Sequence, residues 1–328
     1  MTSINISNSI KKIKPLISIS IPILNEAENI DALYSRLKSV GILMQDRCDL
    51  EFVFSDNRST DSSWKKITEI SIKDERVKAI RFSKNIGFQR SIFVNYLHTK
   101  GDAVMQIDAD LQDPPEMLEV FFDEWQKGYD VVYGIRKGRS ESILISTIRK
   151  IGYWIVDKLS EHHIPRNAGD FRLIDRKILE ALFKMKFHNP YLRGVIASLG
   201  FNQKGIEYNR DVRCKGKSKF NLFHLFRLGM TAIFHHSSLP LRFASIFGLV
   251  ILFFSILGSV YYLSFRILNP GTPQGNGLHI LVLFGIGLQS LFMGIIGEYL
   301  LKIYLIIRSD PLAIIDEHLN FKDNDIHL

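Results

Sequence analysis

The sequence predicts an α/β domain built on a mainly parallel sheet, followed by an interfacial helix and a two-helix transmembrane hairpin. Three observations predict it. Short β-rich runs alternate with segments of helical periodicity through the first part of the chain, acidic and amide residues stand directly after those runs, and two stretches near the C-terminus are almost purely apolar.

"LISISIPIL" (16–24) is the first strand; it breaks at Asn25, read as a helix N-cap before Ile30, Leu33, Leu37 and Val40 at helical spacing. "LEFVFSD" (50–56) is the second, with Ser59, Thr60 and Asp61 as capping candidates for a helix bearing Trp64, Ile67 and Ile70. "VKAIRFS" (77–83) is the third, followed by a helix carrying Phe88, Ile92, Phe93 and Tyr96. "DAVMQID" (102–108) is the fourth. Pro114 and Pro115 then stop the strand and open a helix from Pro115 to about Lys127, because the first helical turn has no use for the missing N–H. "DVVYG" (130–134) is a fifth strand. Strands separated by helices imply a mainly parallel sheet covered on both faces.

In such sheets ligands bind beyond the carboxyl ends of the strands. Asn25 and Glu26 follow the first strand, Asp56 ends the second, Lys84 and Asn85 follow the third, and Asp108 and Asp110 follow the fourth, so all the polar exits fall on one edge. The run "QIDADLQDPPE" (106–116) is the densest of them. Carboxylates are costly in an interior unless paired or bound to a cation. Neither GxGxxG nor GxxxxGK[ST] occurs, which argues against dinucleotide and P-loop sites; a divalent cation held by "DAD" would neutralise a phosphate instead.

Residues 239–265 and 278–307 each hold an apolar core of roughly 20 residues or more, the length a helix needs to cross a bilayer. The flanks are basic and the connector "NPGTPQGNG" is uncharged, so both termini are expected on the cytoplasmic side of an inner (plasma) membrane. The organisation read from the sequence is an N-terminal tail (1–15), the α/β domain (16–215), an interfacial amphipathic helix (216–238), spans at 239–268 and 278–307, and a cytoplasmic C-terminal tail (308–328). The formal charge of +8 is concentrated next to the spans, which fits anionic headgroups and phosphate substrates and excludes nucleic acid as the partner. Cys48 and Cys214 are isolated and lack metal-ligand spacing.

Taken together, "SIPILNEAENI", "FSDNRSTDSS", "SKNIGFQRS", "DADLQDPPE", "DVVYGIRK" and "NAGDFRLIDR" resemble family 2 glycosyltransferases of the GT-A fold. The resemblance, over roughly residues 16–310, is to the membrane-anchored polyprenyl-phosphate glycosyltransferases, which include bactoprenol glucosyltransferases and dolichol-phosphate mannose synthases. It implies inverting, metal-dependent transfer of a hexose, with UDP-glucose first among donors, to a polyprenyl phosphate such as undecaprenyl phosphate. Asp110 and Gln112 match direct ligands of Mg2+ or Mn2+, and Asp108 matches a ligand of the metal or of the donor's ribose. Pro22, Asn25, Glu26 and Asp56 match the nucleotide pocket, with Asp56 an acceptor for the base, and Lys84 stands where an arginine is more usual, against the diphosphate.

Asp170 in "NAGDFRL" matches the position assigned as catalytic base. A lipid phosphate with a second pKa near 6 hardly needs deprotonating, so Asp170 instead orients the acceptor, takes a residual proton, or orders Arg172 and other cations. Arg172 and, in "RDVRCKGKSKF", Arg213, Lys217 and Lys219 are the candidates for the acceptor phosphate. The implied partners are donor, lipid acceptor and bilayer, and a homo-oligomer is compatible with them. In "SDNRSTD", Asn57 and Arg58 replace the Asp and Gly of many relatives, which touches the base and ribose contacts. The rival readings are a glycosyltransferase acting on another lipid or polysaccharide acceptor, including a processive synthase, whose RW motif is missing because Trp64, Trp125 and Trp154 follow Ser63, Glu124 and Tyr153, and a non-catalytic nucleotide-sugar-binding module.

Overall fold

The structure is a computed structural model that describes residues 14–137, 168–185, 192–209, 277–307 and 311–322, with part of 248–269. The strands are β1 (Leu16–Ile23), β2 (Asp49–Asp56), β3 (Val77–Phe82), β4 (Ala103–Gln106), β5 (Val131–Lys137), β6 (Ala168–Asp175), β7 (Gln203–Asn209) and β8 (Ile315–Leu319). The helices are α1 (Ile30–Met44), α2 (Ser63–Ser71), α3 (Phe88–Leu97), α4 (Leu118–Gln126), α5 (Arg176–Phe183), α6 (Leu192–Ser198) and α7 (Gly277–Ile307). A 3₁₀ turn, Pro115–Met117, leads into α4, as the paired prolines led one to expect.

Eight strands form one sheet in the order β7-β5-β6-β4-β1-β2-β3-β8. Strands β1 to β5 and β7 share a direction, whereas β6 runs antiparallel to both β4 and β5, and β8 runs antiparallel to β3. The sheet is therefore mainly parallel, as expected, and mixed through two reversed strands that the sequence reading did not place. Hydrophobic alternation reports which face a residue points to, and it carries no information on strand direction.

Alternation in β1 sorts the two layers. Ile17, Ile19, Ile21 and Ile23 face a core shared with α1, α2 and α4, where Leu33, Leu37, Ile67 and Phe121 are buried. Ser18 and Ser20 face the other way: Ser20 Oγ donates to Gln106 Oε1 (2.7 Å) and accepts from Asn95 of α3 (2.9 Å), and Ser18 Oγ donates to the buried Glu51 (2.5 Å). A second core packs Ile92, Phe93 and Tyr96 of α3 with Ile178, Leu182 and Ile196 of α5 and α6. The sheet is thus covered on both faces.

Two boundaries differ from the sequence reading. Asn25 is no helix cap: it sits at φ 56°, and α1 begins only at Ile30, after Asn29. α2 is preceded by Ser62, and of the three capping candidates Asp61 does accept from Ser63 N–H (2.9 Å) at the start of α2, while Ser59, Thr60 and Asp61 also bond across to the β1 exit loop. Within the expected C-terminal tail, 308–328, lies β8, an edge strand of the sheet.

Helix α7 exposes Val282, Phe284, Leu291, Met293, Leu300 and Tyr304, and by length and composition it is long and apolar enough to cross a membrane over Phe284–Leu301. The described residues between 248 and 268 are helical and expose Phe253, Phe254, Leu257 and Tyr261. The interfacial helix expected at 216–238 lies outside the described residues.

Beside the site, Phe171 of β6 packs between Phe121 (ring centroids 5.0 Å) and Tyr208 (5.2 Å) and is 2% exposed. Phe171→Ala should lower stability by about 3–5 kcal/mol in chemical unfolding, since the cavity opens between two helical and sheet layers that cannot collapse onto it.

Candidate active site

Five strand ends build the site. β1, β2, β3 and β4 bring their carboxyl ends to one edge, and β6, being reversed, brings its amino end to the same edge. Arg172 of β6 is the register partner of Gln106, so Asp170 runs on past the end of β4 toward Asp108.

The β1 and β2 exits are laced together by side chains. Asn25 N–H donates to Ser59 Oγ (2.9 Å), Thr60 N–H donates to Asn25 Oδ1 (2.8 Å), and Glu26 N–H donates to Ser63 Oγ (3.0 Å) while its carboxylate accepts from Asn29 (2.7 Å). Pro22 is buried opposite Ser55, two residues beyond Ser20, the last β1 residue paired with β4. Its missing N–H therefore falls past the end of that ladder, where proline is tolerated. Lys84 is exposed in the loop after β3.

Asp56 is fully buried. Its Oδ1 accepts from Ser59 N–H (3.1 Å), and its Oδ2 lies 3.1 Å from Arg81 Nε without the alignment of a hydrogen bond. That contact counts as charge attraction alone. Burial pushes the Asp56 pKa above its ordinary value, opposed by the Ser59 hydrogen bonds and the Arg81 charge.

At the β4 exit, Asp108 Oδ1 is buried and has no hydrogen-bond partner. Burial, then the charges of Asp113, Asp170 and Asp110, push the Asp108 pKa up to about 7, with Arg136 opposing. Asp110 Oδ1 accepts from Gln112 N–H (3.2 Å), an arrangement imposed by Leu111, which is buried at φ 60°. A non-glycine residue in that region costs about 1–3 kcal/mol, and Asn25 (φ 56°) and Arg58 (φ 63°) do the same at the neighbouring exits. The other acids of the cluster hold loops: Asp113 accepts from Tyr208 and Arg136 (3.4 Å), and Glu116 takes a two-point bond from Arg36 (2.9 and 2.6 Å).

Asp170 is 6% exposed and is gripped by Arg193 of α6, Nε to Oδ1 at 2.9 Å and the second guanidinium nitrogen to Oδ2 at 2.6 Å, with Gln89 at 3.3 Å. Burial alone would raise its pKa; Arg193, then Arg172 and Gln89, outweigh this and bring it below the ordinary value. Arg172 is buried and donates to Gly169 O (2.7 Å).

Of the residues singled out in the sequence, Pro22, Asn25, Glu26, Asp56, Lys84, Asp108, Asp110, Gln112, Asp170 and Arg172 fall on this edge. Arg213, Lys217 and Lys219 lie outside the described residues. Sequence reasoning missed Arg81, Arg193 and Gln89; pairing them with Asp56 and Asp170 needs the adjacency of β2 and β3 and the packing of α3 and α6 beside β6. Among the described residues no group of three or more His, Cys, Asp or Glu side chains is placed to hold a metal ion. The orphaned oxygen of Asp108, the neighbouring Asp110 and the amide of Gln112 are nevertheless hard oxygen donors in a field of excess negative charge, which suits a divalent cation.

The mixed α/β sheet carries its carboxylates at one edge, and the family to which the chain belongs is shown by its sequence. The glycosyl transferase family 2 pattern matches residues 18–183, and the chain belongs to that family. It is 34% identical to an uncharacterized glycosyltransferase of Bacillus subtilis, over 94% of this chain and 96% of that one. It is 32% identical to the bactoprenol glucosyl transferase of Shigella phage SfX, over 91% of this chain and 98% of that one. Among solved structures it is similar to a mannosyltransferase from Pyrobaculum calidifontis in complex with GDP-Man and Mn2+ (16% identity, TM-score 0.46, 69% of this chain and 62% of that one).

Removing Arg193 should leave the Asp170 charge buried without its two-point partner, with only the Gln89 bond and the Arg172 charge to offset it. The parent's pair contributes above the ordinary carboxylate pKa and is lost only as pH falls through the lowered value. Arg193→Met should therefore cost about 2 kcal/mol at pH 7, discounted for partial exposure, and clearly less near pH 4, where the carboxyl can protonate; chemical unfolding at the two pH values measures this.

Proposed function

We propose that this family 2 glycosyltransferase moves a hexose from a nucleotide sugar, UDP-glucose first among donors, onto a polyprenyl phosphate at the cytoplasmic membrane face, inverting the anomeric carbon. The observation that carries the reading is the carboxylate edge at the β4 exit, with its unsatisfied Asp108 oxygen, facing an Asp170 already committed to arginine. Similarity to bactoprenol glucosyl transferases along nearly the whole chain supports the lipid acceptor.

In the proposed reaction a phosphate oxygen of the acceptor attacks the anomeric carbon, the bond to the nucleotide diphosphate breaks, and the diphosphate departs with the electron pair. Asp56 accepts from the base, while Pro22, Asn25 and Glu26 shape the pocket wall. A divalent cation, Mg2+ or Mn2+, held by Asp110 and Gln112 with Asp108 on the metal or on the ribose, would supply the positive charge that offsets the departing diphosphate. Lys84 adds a mobile point charge at the same side. A lipid phosphate is mostly ionised at neutral pH, and Asp170, with a lowered pKa and both oxygens on Arg193, suits holding cations in place better than taking a proton. Arg213, Lys217 and Lys219 are the proposed acceptor cations, and Arg172 acts with them by fixing the start of β6 through Gly169.

The sheet itself supports a membrane hairpin. β3 and β8 are hydrogen-bonded partners, so they share one side of any membrane, and the chain between them must cross an even number of times. With α7 as one crossing, the stretch at 239–268 supplies the other. A cysteine placed at Gln274, in the uncharged connector, should react with an impermeant thiol reagent added outside intact cells. Labelling that needs membrane disruption would overturn this orientation.

The function is tested by transfer of labelled sugar from UDP-glucose, UDP-N-acetylglucosamine, UDP-galactose or GDP-mannose to undecaprenyl phosphate. Transfer should require Mg2+ or Mn2+, and Asp110→Ala should cut it by at least about 10²-fold with an unchanged unfolding transition. Full activity in excess chelator would refute the metal-assisted mechanism, and no transfer from any of the donors would refute the acceptor.

A further inference from the structure

The C-terminal strand does more than close the sheet. In register, Asp56 of β2 neighbours Arg81 of β3, which neighbours Glu317 of β8, giving a row of carboxylate, guanidinium and carboxylate across three strands. Arg81 is divided between the two acids. One of its terminal nitrogens donates to Glu317 Oε1 at 2.9 Å, and the other reaches Ser59 O at 3.4 Å. Its guanidinium lies over the Trp64 ring, 5.5 Å from the centroid, and the indole Nε1–H donates to Glu317 Oε2 at 3.0 Å. Glu317 thus uses one oxygen on Arg81 and the other on the ring beneath it.

The division is uneven. The bond to Glu317 is aligned, whereas Nε and Asp56 Oδ2, 3.1 Å apart, make no hydrogen bond, and Oδ2 is left buried without one. A buried carboxylate beside a guanidinium ordinarily draws it into a two-point pair, because an unsatisfied buried acceptor is expensive. Something has to prevent that collapse. We infer that Glu317, with Trp64, holds Arg81 back from Asp56, so that Asp56 Oδ2 stays available to an N–H of the donor's base; β8 is a positioning element of the nucleotide pocket. The inference rests on the reading of Asp56 as base acceptor.

The same strand makes a second, separable tie. The β3–β8 register shifts between Arg81 and Phe82, which leaves Asp316 without a facing partner, and Asp316 pairs with Arg58. Arg58 is one of the two departures from the family pattern, and it keeps a side chain at φ 63° where glycine would be unstrained. Asp316 anchors β8 without touching Arg81, which makes it the internal control.

The test is calorimetric titration of the full-length chain in detergent micelles with Mg2+, using as probe whichever of UDP and GDP binds the parent more tightly. Glu317→Ala should weaken binding about tenfold, the scale of one hydrogen bond to a charged group, and Glu317→Gln by less. Asp316→Asn should bind as the parent does. Adding Arg81→Ala to Glu317→Ala should restore most of the affinity, which a misfolded or loosened strand would not do. Parent-like binding by Glu317→Ala, or no recovery in the double variant, overturns the inference. Asp56→Asn separates the two levels: if it weakens binding while Glu317→Ala does not, only the role of Glu317 falls, and if it binds as the parent does, the Asp56 reading falls and takes this inference with it.

Discussion

The site depends on one constraint: too much negative charge at one strand edge. Asp108, Asp110, Asp113 and Asp170 lie close enough that the last three, after burial, hold the pKa of the first near 7. Each acid needs a counter-charge, and the fold supplies them unequally. Asp113 has the Arg136 charge and a hydrogen bond from Tyr208, and Asp170 has Arg193, but Asp108 Oδ1 has no hydrogen-bond partner. That inequality sets Asp108 apart from the acids that hold the structure.

The reversed strands explain how distant segments reach this edge. Strands running with β1 bring their carboxyl ends to this edge, and a reversed strand brings its amino end there. β6 does so with Asp170, and β8 does so with Glu317 at the other side of the sheet. In the proposed reading the two flank the acceptor and nucleotide halves of the edge. Between them, left-handed backbone at Asn25, Arg58 and Leu111 turns the chain sharply at three successive exits, keeping strain where polar groups must converge.

Much of this was legible in the sequence, and the rest was not for identifiable reasons. β1 to β4 are buried on both faces and bounded by polar exits, so apolar runs gave their positions almost to the residue. β8, reading "IDEHL", is a half-exposed edge strand with no such run. Asn25 has the chemistry of a helix cap, but its side chain bonds across to the β2 loop and the helix starts at Ile30. Asp56, Asp108, Asp110 and Asp170 were marked by strand exits and family resemblance. Arg193 and Arg81 were not, because their meaning comes from partners: Asp170 is 23 residues from Arg193, and Glu317 is 236 residues from Arg81.

The unequal supply of counter-charge can be measured without any turnover. Electron paramagnetic resonance of Mn2+ titrated into the purified chain, with and without UDP, reports the free ion directly. The expected result is weak Mn2+ binding by the protein alone, since two carboxylates and an amide do not complete a shell, and much tighter binding once UDP contributes its diphosphate, both lost in Asp110→Ala. Mn2+ that stays free in the presence of protein and UDP, or that binds equally well without Asp110, would contradict the assignment of this edge.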